Sequence, residues 1–251
     1  GIVDRGSYST IACHPDRRLE SNYSLNTVDI CPVGALTSTD FRFKMRVWFL
    51  KETNTIDVNC GTGSNIVVGA RENVIYRITP RDNDHVNGCW LPDSHRLNFK
   101  FVSREDRLKQ PTVKGQHVDW RTAIRITAEV LRAQPSATLA MIASARMTNE
   151  ELFLARRLAQ ILGIPKERID VLPRTGEPDG ILVDADRNPN TNGAKLLGLA
   201  APQPGSRLGA IVDGVKSGTI RAVISLGEHL TKCGFDVADL QRLAAIVTTD
   251  I

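Results

Sequence analysis

Hydrophobic and polar positions change rhythm twice along the 251-residue chain. Residues 1–47 show no sustained period: His14-Pro15-Asp16-Arg17 reads as a turn and residues 22–24 as irregular chain. Within that stretch, residues 32–46 predict one helix, opened by a proline in its first turn and carrying Leu36, Phe41 and Met45 toward a core. From Trp48 to Phe101 the pattern becomes alternating, in Ile56 and Val58, Ile66-Val67-Val68 and Val74 to Ile78. The polar break Arg71-Glu72-Asn73 makes the last two runs a hairpin in a small β-rich module.

After the charged run Arg104-Glu105-Asp106-Arg107, read as a solvated connector, helical and strand patterns alternate. Residues 120–132 predict an amphipathic helix with Ile124, Ala128 and Leu131 on its buried stripe, and 138–144 a buried strand. Thr148-Asn-Glu-Glu151 is a capping box that opens a helix over 150–162, stopped by Gly163 and Pro165. A strand at 169–172 leads into a proline- and glycine-rich loop over 173–206, interrupted by a short segment at 194–199. Helix 208–217, strand 222–226, helix 237–243 and strand 246–249 complete an α/β pattern.

Composition narrows the functional classes. A 41% apolar content supports a core, and a net charge of +4 from 32 basic and 28 acidic residues, scattered along the chain, gives no support for nucleic-acid binding. Five widely spaced cysteines, at 13, 31, 60, 89 and 233, include no Cys-x-x-Cys and indicate neither a disulfide framework nor a self-contained metal site; a reducing compartment fits them. No apolar run approaches the roughly 20 residues of a membrane-spanning helix. No nucleophile elbow or G-x-G-x-x-G is present, Gly205-Ser-Arg-Leu-Gly209 is too loose for a phosphate loop, and the five histidines stand in separate contexts.

The segment with chemistry in it is Asn26-Thr-Val-Asp29-Ile-Cys31-Pro32-Val33-Gly34-Ala35-Leu36-Thr-Ser. A cysteine directly before proline and small residues is the pattern of an iron–sulfur ligand, although a lone Cys-Pro is also compatible with a buried thiol at a turn. Together with Phe41-Arg42, Arg46-Val47-Trp48, Ser64 to Val68, Val86-Asn87-Gly88, Trp90, Asp93 with Arg96, Arg107-Leu108, Pro111, Trp120 and Thr148 to Glu151, it closely resembles the large iron–sulfur subunit family of respiratory NADH:quinone oxidoreductase, complex I. In that family the residue at Cys31 is the last ligand of a [4Fe-4S] cluster whose other three cysteines lie upstream, so the resemblance makes Cys31 the single cofactor- and metal-binding residue here. It also implies that the chain is an internal piece.

Downstream of its clusters that family resembles the molybdopterin oxidoreductases, whose β-rich module carries a further [4Fe-4S] site. The corresponding positions look like Asp57, Cys60, Ser64 and Pro92, so only one thiolate survives and the cluster is expected to be lost. Cys60 and Cys89 then read as ordinary buried thiols in preference to a pair holding a different metal, because no histidine stands at ligand spacing and His85 and His95 sit in loop-like sequence. Ser225-Leu226-Gly227-Glu228 and residues 144–149 correspond to pterin-contacting regions of the superfamily, but a glycine turn and helix capping account for them, and no molybdopterin is expected.

The resemblance therefore implies three regions. Residues 1–47 would be the C-terminal part of a ferredoxin-like cluster domain, 48–105 a β-rich module without its cluster ligands, and 106–251 a truncated doubly wound α/β domain of the molybdopterin oxidoreductase type. The implied role is electron relay and scaffolding in the peripheral arm, between NADH and quinone, with no catalysis by this chain alone. The implied partners are the NADH/flavin-binding subunit and the quinone-side iron–sulfur subunits, at the cytoplasmic side of a bacterial inner membrane and without direct insertion. A fragment of a formate dehydrogenase-like molybdopterin enzyme and a cofactor-free assembly module are the alternatives.

Overall fold

A computed structural model describes residues 1–17 and 19–249; Asp250 and Ile251, the end of the expected third region, lie outside the described residues. The chain forms two compact units, one of residues 1–57 with 64–103, the other of 58–63 with 104–249.

In the first unit, the short helix α1 (Asn26–Asp29) precedes the Cys31 turn. It is followed by a three-stranded antiparallel sheet of β1 (Lys51–Ile56), β2 (Asn65–Arg71) and β3 (Val74–Pro80), in that order, and by a single helical turn, α2 (Asp93–Arg96). The expected hairpin is β2–β3, and Glu72 and Asn73 adopt positive φ of 52° and 64°, as a tight primed turn requires. The strand seen in the Ile56 and Val58 alternation lies earlier than expected: it runs over Lys51–Ile56, is exposed along its whole length, and ends before Val58.

The helix expected over 32–46 does not form, and the segment is a succession of turns. Gly34 and Phe43 sit at φ of 64° and 66°, which no right-handed helix tolerates, and Phe43 is 94% exposed. An apolar spacing without neighbours to pack on does not sustain a helix of this length.

The second unit has α3 (Trp120–Arg132), β4 (Leu139–Ala143), α4 (Asn149–Ile161), β5 (Ile169–Val171), α5 (Thr191–Leu196), α6 (Leu208–Lys216), β6 (Ala222–Leu226), α7 (Val237–Gln241) and β7 (Ala245–Thr249). Its sheet is parallel throughout, in the order β7-β6-β4-β5. Strand β4 is buried along its whole length because both faces are covered. Leu139, Met141 and Ala143 pack in one cluster with Leu131 of α3 and Leu152, Ala155 and Ala159 of α4. Ala140 and Ile142 join Leu208, Ile211, Val212 and Val215 of α6 in the other.

The Thr148–Glu151 capping box forms in both directions, at 3.2 and 2.8 Å. Beyond the end of α4, Gly163 takes φ 64°. The buried stripe of α3 differs from expectation: Leu131 is buried, but Ile124 faces out at 64% exposure. Among the described residues no helix is long and apolar enough to cross a membrane.

Candidate metal-binding residues

Cys31 sits two residues after α1, where Pro32 and the left-handed Gly34 turn the chain back over the thiol. The Cys31 thiol is held below its ordinary pKa by hydrogen bonding from the backbone, most from Leu36 and less from Val33, Ala35 and Gly34, against an opposing effect of desolvation. Surroundings that favour thiolate over thiol are what a metal-bound sulfur requires.

What fixes α1 is a polar network rather than packing. The amide of Asn26, 2% exposed, donates to the carbonyls of Leu91 (2.9 Å) and Tyr23 (3.1 Å), and its oxygen accepts from the N–H of Leu91 (3.0 Å) and from Arg96 (3.1 Å). Arg96 pairs with Asp29 at 2.6 Å. Asp93 accepts from the Ser24 hydroxyl at 2.6 Å and the Leu25 N–H at 3.1 Å. Asn26, Asp93 and Arg96, present in the sequence as family motif residues, are thus the clamp that joins α1 to α2.

Helix α2 also carries His95, which is neither exposed nor in a loop: it is 6% exposed, and its Nδ1 lies 2.6 Å from Oδ2 of Asp57, itself 3% exposed. Asp57 directly follows β1, and its N–H donates to the carbonyl of Ser64 at 2.8 Å, closing the intervening segment into a loop. Ser64 is fully buried, and its hydroxyl has no hydrogen-bond partner among the described residues. Cys60 is fully buried as expected, with its thiol 3.7 Å from the carbonyl of Leu182; Cys89 is exposed, contrary to expectation. No local signal in the sequence marks His95: it is carried inward on the single turn Asp93–Arg96 that follows Pro92.

At the carboxyl ends of β4 and β6 the structure places a closed ion pair. Glu228 is 3% exposed and receives both terminal nitrogens of Arg174, at 2.8 and 2.6 Å, while Arg174 also donates to Asn188. The Ser225 hydroxyl donates to the Glu228 carbonyl at 2.6 Å. A Cβ added to Gly227, at φ 71°, would lie 3.3 Å from Cβ of Ser144. This edge is occupied by its own side chains.

Residues 1–37 match the family described as NADH-quinone oxidoreductase subunit 3, ferredoxin-like domain. Residues 50–100 match the NADH-ubiquinone oxidoreductase NDSU1/NuoG-like, 4Fe-4S domain. Among curated proteins, the mitochondrial NADH dehydrogenase (ubiquinone) iron-sulfur protein 1 of Solanum tuberosum is 36% identical over 168 residues, 65% of this chain and 23% of that protein. The G subunit of the NADH-quinone oxidoreductase of Rickettsia felis is 34% identical over 65% of this chain and 25% of its own length. The NADH-ubiquinone oxidoreductase 75 kDa subunit of Reclinomonas americana is 36% identical over 66% of the chain and 25% of its length. The chain is similar to iron–sulfur subunits of respiratory NADH dehydrogenases. Within that class its kinship is with the large one, the G or 75 kDa subunit, and the matched region spans about a quarter of those relatives.

The two matched regions differ in how well they suit an iron–sulfur cofactor. Cys31, whose backbone surroundings favour the thiolate, fits a ligand of one iron. Residues 50–100 hold two cysteines, of which Cys89 is exposed, and do not supply the four thiolates of a cubane.

Proposed function

We propose that the chain is an electron-relay and scaffold portion of the peripheral arm of an NADH:quinone oxidoreductase, in which Cys31 ligates one iron of a [4Fe-4S] cluster. The observation that carries this reading is the match of residues 1–37, which contain the Cys31-Pro32 turn, to the ferredoxin-like domain of NADH-quinone oxidoreductase subunit 3; backbone hydrogen bonding that lowers the Cys31 pKa, most from Leu36, accords with it. The cluster supplies one-electron transfer. The chain's own part is to keep the sulfur deprotonated, to hydrogen-bond it, and to fix its position through the Asn26–Arg96–Asp29 network.

On this reading residues 1–47 finish a ferredoxin-like domain, 48–105 form the β-rich module, and 106–251 are a platform of the molybdopterin oxidoreductase type without its pterin. The Arg174–Glu228 pair, which fills the sheet edge, supports the last point. The partners are the NADH/flavin-binding subunit and the quinone-side iron–sulfur subunits, and the location is the cytoplasmic side of a bacterial inner membrane, peripheral. The test is electron paramagnetic resonance of the complete complex carrying Cys31→Ala. Loss or alteration of one [4Fe-4S] signal is expected, and an unchanged spectrum refutes the assignment.

A further inference from the structure

Residues 41–49, Phe-Arg-Phe-Lys-Met-Arg-Val-Trp-Phe, hold four aromatic and three basic side chains and no acidic one, and electron relay gives them no task. The segment lies within the first unit, where four guanidiniums stack on its rings. Arg42 lies 5.1 Å from the ring centre of Phe43, and Arg46 5.9 Å from that of Trp48. From the sheet, Arg71 of β2 reaches Phe49 at 5.0 Å and Arg77 of β3 reaches Phe41 at 5.3 Å. Arg71 and Arg77 are paired with Glu72 and Glu52, whereas Arg42 and Arg46 have no acidic partner among the described residues. Phe43 is 94% exposed and Trp48 74%, and Phe43 also sits at φ 66°, a left-handed conformation that a bulky side chain adopts only under strain.

We propose that this face docks an acidic segment of a partner protein, with carboxylates on Arg42 and Arg46 and apolar side chains against Phe43 and Trp48. A guanidinium lying on a ring keeps the N–H groups of its edge open, in the fork that matches a carboxylate. The cations between the rings have no acid of their own in the segment, so the charge that complements them comes from outside it. Exposed aromatic and arginine side chains are also the types that carry most of the energy of protein interfaces. A nucleic acid fits this face less well, because base stacking needs open rings: guanidiniums cover one side of each, and Trp48 and Phe49 meet at 57° instead of forming a flat platform. A lipid surface fits less well too, because an interfacial anchor separates its apolar side from its charges and here the two alternate. Cys31 takes no part, so this surface and the cluster assignment stand or fail independently.

The experiment measures fluorescence anisotropy of a labelled synthetic peptide rich in Glu and Leu, titrated with the full chain at low salt. The same peptide with Gln for Glu, phosphatidylserine vesicles and oligothymidine are the comparisons. The acidic peptide should bind at least about tenfold more tightly than the Gln peptide and weaken as salt is added. The double change Arg42→Glu with Arg46→Glu should abolish that preference. Phe43→Gly separates docking from folding: glycine accepts the left-handed backbone, so the thermal midpoint should hold or rise while affinity falls at least about fivefold. Should the double variant fail to fold, Phe43→Gly decides alone. No preference for the acidic peptide, a preference that survives the double change, tighter binding of vesicles or oligothymidine through the same two arginines, or a Phe43→Gly chain that binds the acidic peptide unchanged each overturn the proposal.

Discussion

The two units of this chain solve the same problem with opposite materials. In the first, the buried apolar side chains Ile66 and Leu91 stand among the buried polar residues Asn26, Asp57, Ser64, Asn87, His95 and Arg96. In the second, four parallel strands are packed on both faces by Leu, Ile, Val and Ala. An apolar core distributes its stability over many replaceable contacts, whereas a polar interior concentrates it in a few atoms whose partners have no alternative. The first unit also contains Cys31, the proposed cluster ligand, and the polar network around Asn26 and Arg96 holds the helix that precedes it. The second can lose a methyl group and remain a platform.

The largest expected effects test that contrast directly. Asn26→Ala removes few atoms but strands the N–H and C=O of Leu91 and one donor of Arg96, and should cost about 3 kcal/mol or more. Leu152→Ala, fully buried against β4, opens a cavity in the second unit and should cost about 2–5 kcal/mol. Urea unfolding gives both values, and hydrogen exchange of the Leu91 amide assigns the first to its region. If Asn26→Ala costs under about 1 kcal/mol, the first unit does not stand on its polar network.

The thiols sharpen the comparison at the next level. Backbone amides lower the Cys31 pKa, whereas desolvation, and after it the Glu228 carboxylate, push Cys233 up to about 12. For Cys31 the folded value lies below the unfolded one, so its stabilisation is present at alkaline pH and is lost as pH falls through the folded value. For Cys233 it lies above, so stability is complete below the ordinary thiol pKa of 9.0 and drains away as pH rises toward about 12. At pH 8, peptide-resolved alkylation with iodoacetamide should proceed at least about tenfold faster at Cys31 than at Cys233. A Cys31 rate profile with its midpoint at or above the ordinary thiol value would remove the physical basis for a metal-bound thiolate there.

Legibility from sequence followed the same divide. In the second unit, strand Ala222–Leu226, helix Trp120–Arg132 and the Thr148 box stand where pattern and capping place them, because apolar periodicity and caps are local signals of apolar packing. In the first unit the hairpin was readable from its turn residues. The helix over 32–46 was not excluded by periodicity, since what rules it out is left-handed backbone at Gly34 and Phe43. Cys31 was singled out by the proline and small residues that follow it, and its ligand role is the proposal made above. His95 was not, because its burial depends on Asp57, 38 residues away, and no local period encodes such a pairing.

The smallest expected effect concerns the one place where the second unit's pattern misleads. Spacing puts Ile124 on a stripe with Ala128 and Leu131, yet Ile124 is 64% exposed while Leu131 is 4% exposed. The buried face of α3 is narrower than the apolar stripe, so the outer isoleucine has little surface removed from water to lose. Ile124→Gln replaces a β-branched residue by a better helix former on an open surface, and the two small terms oppose each other. The net change should lie within about 0.5 kcal/mol, against about 2–4 kcal/mol for Leu131→Ala on the same helix. A cost above about 1.5 kcal/mol for Ile124→Gln, read by urea unfolding of the chain alone, would mean that this face of α3 is covered in solution and that the stripe, not the exposure, describes the helix.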